Sequence, residues 1–212
     1  MTIFDGIFIL AVLGSLLALI AVGYFLVRRQ WRRAKRVLLG LASFLVIYAV
    51  VLVSVALLSP QQVLAMHQDR CFDDWCLSVE QVVQQPTIGS TSMLVHAHGV
   101  FDLVTVRVSS RARGISQRVL DAQVSVLDTQ GQRYDPDPAG QQVLDASGQG
   151  GLPLDSELAP FGSFTHTVVF DVSKSASPLT LVVTHGLFPD VLIIGSDQSF
   201  LHKPTIIQLP SS

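Results

Sequence analysis

Charge is scarce in this chain: charged residues fill 14% of its 212 positions against 49% that are hydrophobic, a balance that suits a small membrane-attached protein with one globular domain. Cysteine is nearly absent as well. Cys71 and Cys76 have no second Cys or His pair at finger-like spacing, which excludes a zinc finger. Their four-residue separation is not the Cys-x-x-Cys of thiol oxidoreductases, and no thioredoxin-like βαβ pattern surrounds them. No glycine-rich phosphate loop leads into a helix, and Ser, His and Asp occur in no recognised nucleophile elbow or triad context. Basic clusters are missing beyond Leu58, where fifteen of the sixteen acidic residues lie, so nucleic acid is excluded as a partner. The chain is therefore expected to be no enzyme and to need no cofactor.

What is present begins with two uncharged runs, Ile7–Val27 and Val37–Leu58. At 1.5 Å per residue the first reaches roughly 31 Å, the thickness of a hydrocarbon core, and the second is slightly longer before Ser59-Pro60 ends it. Between them Arg28, Arg29, Arg32, Arg33, Lys35 and Arg36 form a basic loop, 28–36, that resists translocation. The expectation is a two-pass hairpin (1–60) with a cytoplasmic loop and both termini exoplasmic. A cleaved signal peptide is the competing reading of the first run, but Met1–Asp5 lacks a basic n-region and the run exceeds an h-region. Gly14, Ala18, Gly40 and Ser43 are candidates for close helix approach, with ordinary membrane composition as the alternative. Trp31 and Tyr24 suit the cytoplasmic interface.

After a polar linker, 61–70, the pattern turns to short alternating runs. Trp75, Leu77 and Val79 alternate with polar residues, as do Val104, Val106 and Val108, then Ala122, Val124 and Val126, then Phe164, His166, Val168 and Phe170. Leu179–His185 and Thr205–Leu209 follow. Turn residues separate these runs, including Asp128-Thr-Gln-Gly131 and Asp135-Pro-Asp-Pro138. About seven short strands without a convincing amphipathic helix predict an all-β, immunoglobulin-like antiparallel sandwich over 71–212. Gly140–Gly151, rich in Gly, Ser and Gln, is expected to be a mobile loop.

The order Asp73-Asp74-Trp75, Phe101–Ser109, Val126-Leu-Asp128-Thr-Gln-Gly131-Gln-Arg-Tyr134, Leu158-Ala-Pro160-Phe-Gly162-Ser and Val168-Val-Phe170-Asp171-Val resembles the telokin-like, immunoglobulin-fold extracellular domain of unknown function found in bacterial membrane proteins and lipoproteins. It covers nearly all of Phe72–Leu209. The most specific element is a strand ending in Asp128, a turn at Gly131 and Tyr134 three residues on. The resemblance implies a fold and a surface location and carries no shared chemistry.

Several constellations have two readings. Cys71 and Cys76 read first as a disulfide closing a small loop at the domain entrance, with a redox pair as the rival. Asp69, Asp73 and Asp74 offer oxygen ligands to calcium but lack the ligand count of a known loop, so solvated turn acids are the simpler reading. His96 and His98 lie on one face of an extended segment and, with His166 or His185 brought near, form a weak metal candidate; otherwise they are strand-end histidines. His166 shares parity with Phe164 and Val168, which favours a core or rim position. The sequence thus predicts a membrane-integral, exoplasmic module that binds an envelope or surface protein. Its rivals are a structural subunit assembled through the hairpin and a metal or redox domain using those histidines or the cysteines.

Overall fold

The computed structural model describes residues 3–72, 74–90, 93–119, 122–186 and 188–210. Helices α1 (Ile3–Val27) and α2 (Trp31–Leu58) come first. Strands β1 (Val63–Leu64), β2 (Arg70–Phe72), β3 (Trp75–Ser90), β4 (Met93–Ser110), β5 (Gln117–Arg118), β6 (Gln123–Leu127) and β7 (Arg133–Tyr134) lead to helix α3 (Pro138–Ala146). Then follow β8 (Glu157–Leu158), β9 (Ser163–Val172), β10 (Thr180–Thr184), a 3-10 turn at Asp190–Leu192 and β11 (Ile206–Gln208). The chain divides into two compact units, Met1–Pro60 with Leu187–Pro204, and Gln61–Gly186 with Thr205–Ser212.

In the first unit, α1 and α2 are each long and apolar enough to cross a membrane. Asp5 sits in the first turn of α1, where the exposed N–H groups favour an anion. The basic stretch is a shorter loop than the sequence suggests. Arg28–Gln30 make the turn, while Arg32, Arg33, Lys35 and Arg36 already belong to α2, because Arg, Lys and Ala are good helix formers and the apolar run propagates the helix back through them. Ser59, extended ahead of Pro60, ends α2. Gly14 and Gly40 have open space where a Cβ would stand, so they mark no close approach, and the buried residues of α2 are Ala34, Leu52 and Ala56.

The second unit is a β-sandwich. One sheet runs β1-β11-β10-β6-β7, the other β2-β3-β4-β9, and β5 pairs with β8 apart from them. Alternation decides what lies between the sheets: Leu77, Val79, Val104, Val106, Val108, Val168 and Phe170 from one face meet Val124, Val126, Leu181, Val183 and Ile207 from the other in one buried cluster. Residues 61–70 are more than a linker, since β1 pairs in parallel with β11 and Arg70 opens β2. The buried Arg70 guanidinium donates from Nη1 to the carbonyls of Val183 and Thr205 and lies 4.8 Å over the Phe72 ring, contacts that offset the burial of a cation inside the sandwich. The resemblance motif also acquires a local reason. Asp128 Oδ1 accepts the Gln130 and Gln132 N–H groups at 2.8 and 2.9 Å, Gly131 takes φ +80°, and the chain returns as β7 with Tyr134 opposite Val126.

Two expectations change here. The strands β3 and β4, at 16 and 18 residues, form one long hairpin in place of several short strands, bent by irregularities at Val79/Gln81 and Gln85/Thr87. The end of the turn at Pro138 and most of the Gly140–Gly151 segment expected to be a mobile loop instead form α3. Asp137 caps it through a 2.6 Å bond from the Gly140 N–H, with Pro138 in the first turn. Val143 and Leu144 bury against Ile88, Phe101, Leu103 and Val169, on the sheet face turned away from the main core. A Cβ on Gly140 would stand 2.8 Å from Val169 Cγ1, so glycine lets the helix approach this closely. Gln141 completes the contact: its amide donates to Thr167 O and accepts from Val169 N–H, both at 3.0 Å, covering the outer edge of β9 as a strand would.

Candidate functional site

The sandwich unit carries an open cleft of about 750 Å³ where β4 and β9 end beside β7 and the approach to α3. His98, Arg133, Tyr134, Asp135, Asp171 and Lys174 contribute its polar lining. Pairing of β4 with β9 stops at Val100 and Val172, and from the pair before it, opposite Phe101, Asp171 gathers three donors from His98 and Gly99 beyond that end. Its Oδ2 accepts the His98 backbone N–H at 2.8 Å and lies 2.9 Å from His98 Nδ1, while Oδ1 accepts the Gly99 N–H at 3.0 Å. Burial alone would raise the Asp171 carboxyl; the Gly99 and His98 N–H groups and the His98 ring outweigh it and hold the pKa below the ordinary value. Across the cleft, Arg133 Nε donates to Asp135 Oδ1 at 2.7 Å.

Residues 133–136 separate this cleft from a second one of about 460 Å³, lined by Gln141, Leu154, His166 and Val168 among others. His166 is half-buried there; burial lowers its pKa below the ordinary histidine value, with the Asp145 carboxylate opposing in part, so the ring is neutral near pH 7.

The predicted site residues are spread over the unit. His96 lies exposed opposite Thr87 in the β3–β4 hairpin, and His98 is exposed and orients on Asp171. His166 sits in the second cleft. His185 packs edge-on against Phe72 at 4.6 Å, next to Trp75, which stacks on Phe72 at 4.4 Å. Among the described residues no group of three His, Cys, Asp or Glu side chains converges to hold a metal ion. Cys71 and Cys76 are bonded as directly opposed residues of β2 and β3. Of the three acids weighed for calcium, Asp73 lies outside the described residues. Asp171, Arg133 and Asp135 escaped the sequence reading, because each reads as an ordinary strand or turn residue until β4, β7 and β9 come together.

Chemically, the His98–Asp171 pair is a carboxylate-oriented imidazole. Ser173 shares its cleft, but the Ser173 hydroxyl bonds to Ser175 Oγ at 3.0 Å. With the imidazole side chain 99% exposed, water is not excluded, and the pair suits hydrogen-bonded recognition better than proton transfer.

No protein-family model matches the chain, and no curated protein matches it in sequence. Among solved structures it is similar to a conserved hypothetical protein of Bacillus anthracis, with 17% identity, 57% of this chain and 89% of the other covered, and a TM-score of 0.47. An uncharacterized β-sandwich protein of Clostridium difficile 630 shares 9% identity, with 72% and 96% covered and a TM-score of 0.44. The secreted protein MPT63 of Mycobacterium tuberculosis shares 13% identity, with 60% and 92% covered and a TM-score of 0.43.

Proposed function

We propose that this protein is a two-pass membrane protein that displays an immunoglobulin-type sandwich on the side opposite its basic turn, as a non-enzymatic module binding another envelope or surface protein. The membrane reading is supported by the hairpin's exposed apolar surface, including Leu10, Leu17, Leu39 and Ile47, and by the cations at its turn. The immunoglobulin-type reading, and with it the telokin-like resemblance, is supported by strand distribution: β4 and β9 neighbour each other in one sheet, while β6, β10 and β11 lie side by side in the other.

The observation that carries the binding role is the far end of the β3–β4 hairpin. Val95 and Ala97 pack toward the α3 cluster, which leaves Met93, Leu94, His96 and His98 exposed beyond the last residue paired with β9. Pro86 and the irregularities of β3 interrupt its outer edge, so contact is expected through the side chains of the tip more than through strand addition. A photo-crosslinking residue at Leu94, in intact membranes with products identified by mass spectrometry, tests this against assembly through the hairpin. Adducts to one protein from Leu94 and none from Gln149 support the module. Adducts from Ile47 alone transfer the role to the hairpin and reject the proposal.

A further inference from the structure

We propose that residues 188–204 form an interfacial lipid-contacting segment, seated in the bilayer leaflet opposite the basic turn; this rests on the membrane reading above. The segment leaves the chain after β10, returns at β11, and belongs to the same compact unit as the helices. Two contacts fix its level on the hairpin. Tyr48 Oη donates to the Leu192 carbonyl at 2.7 Å. Gly195, at φ +78°, lies so close to Phe4 that a Cβ there would meet the ring at 3.5 Å.

Helical rise puts Tyr48 about 26 Å along α2 from Trp31, and Phe4 about 34 Å along α1 from Val27. Both anchors therefore lie in the half of the hairpin remote from the Arg28–Gln30 turn. Counted on the uncharged runs, Phe4 stands just outside Ile7–Val27, at the headgroup boundary of the far leaflet, while Tyr48 stands about 17 Å from Val37, deeper among the acyl chains, so the segment extends inward from that boundary.

The segment's own chemistry fits that boundary. Phe188, Phe200 and Leu201 are 77, 54 and 53% exposed, a density of large apolar groups that water disfavours. Its backbone is largely self-satisfied: Leu192, Ile193, Ser196, Ser199 and His202 donate to carbonyls three residues back, and Phe200 N–H reaches Val191 O at 3.0 Å. Non-helical backbone at membrane depth requires such internal pairing. Asp190, Asp197, His202 and Lys203 interleave with the apolar residues, which suits headgroups and excludes the bilayer centre.

The test uses the full chain in liposomes. Among the described residues there is no free thiol, so one introduced cysteine takes one environment-sensitive fluorophore. Probes go separately at Phe188, Phe200, Ile47 and Gln149, with lipids bearing a doxyl quencher near the headgroup or near the acyl terminus. Protease resistance of the sandwich confirms that each labelled chain is folded. The proposal expects emission loss at Phe188 and Phe200, greater with the shallow quencher, together with loss at Ile47 and none at Gln149. Quenching at Ile47 without any at Phe188 and Phe200 overturns this proposal and leaves the membrane hairpin standing. Absence of quenching at Ile47 overturns the membrane reading itself.

Discussion

Asp171 holds His98 by two bonds, one to the backbone N–H at 2.8 Å and one to Nδ1 at 2.9 Å. An ionised carboxylate only accepts, so Nδ1 carries a proton and Nε2 is left facing solvent. Replacing Asp171 by Ala strips two backbone N–H groups of their partner and is expected to destabilise the folded chain by roughly 2–3 kcal/mol. The folded pKa is depressed, so this stability is fully present above the unfolded value and is lost as pH falls through the folded one. Thermal unfolding in detergent should show wild type and Asp171→Ala converging in strong acid, and parallel pH profiles would contradict the assignment.

Asp102 should behave in the opposite sense. It is 1% exposed, between Gln84 and Phe170 across its strand pairs. Burial raises its carboxyl above the ordinary value, and the nearby Gln84 amide offsets this in part without the geometry of a formed hydrogen bond. The folded pKa lies above the unfolded one, so the contribution is fully present below the unfolded pKa and is lost as pH rises through the folded one. Asp102→Asn should flatten that slope and leave the protein more stable than wild type at pH 8, by roughly 1–3 kcal/mol. Equal wild-type and variant melting curves at pH 8 would show that the carboxyl finds solvent.

The core should depend on alternating apolar positions and hardly on the exposed histidines. Phe170 is fully buried, so Phe170→Ala is expected to remove roughly 3–5 kcal/mol. His96→Ala should stay within about 0.5 kcal/mol of wild type, since the side chain is exposed. Urea titration of both variants separates the two, and a large loss at His96 would reopen a ligand role there.

The cap and the disulfide secure the two ends of the four-stranded sheet. Asp137→Ala should weaken α3 by about 1 kcal/mol and speed amide exchange at Val143 and Leu144. Cys71→Ser should remove about 2 kcal/mol, the loop-closure value for so short a loop. Amide exchange at Val143 unchanged by Asp137→Ala would mean that packing alone holds the helix.

The proposed topology rests on the cations at the turn. A cysteine at Gln30 should be shielded from an impermeant thiol reagent in intact cells, and one at Gln149 should be labelled. The reverse pattern would invert the assignment of sides and place the sandwich in the cytoplasm.

The two apolar helices, the strands of alternating polarity and the Cys71–Cys76 pair were legible from the sequence because each depends on neighbours a few residues away: uninterrupted hydrophobicity, period-two alternation, or two cysteines with no competitor. The start of α3 was equally local. Asp137-Pro138 is a capping residue followed by a first-turn proline, although the surrounding Pro and Gly masked it as a turn. Other features depend on residues far apart in the chain. Asp171 becomes a hydrogen-bond hub because β4 overruns β9 by a few residues, Arg70 is tolerable inside because the Val183 and Thr205 carbonyls meet it, and residues 188–204 join the helices through Tyr48 and Phe4. Local pattern decides which face of an element is apolar, whereas the partner that covers that face is chosen by long-range packing, and at these positions only the tertiary structure made the choice.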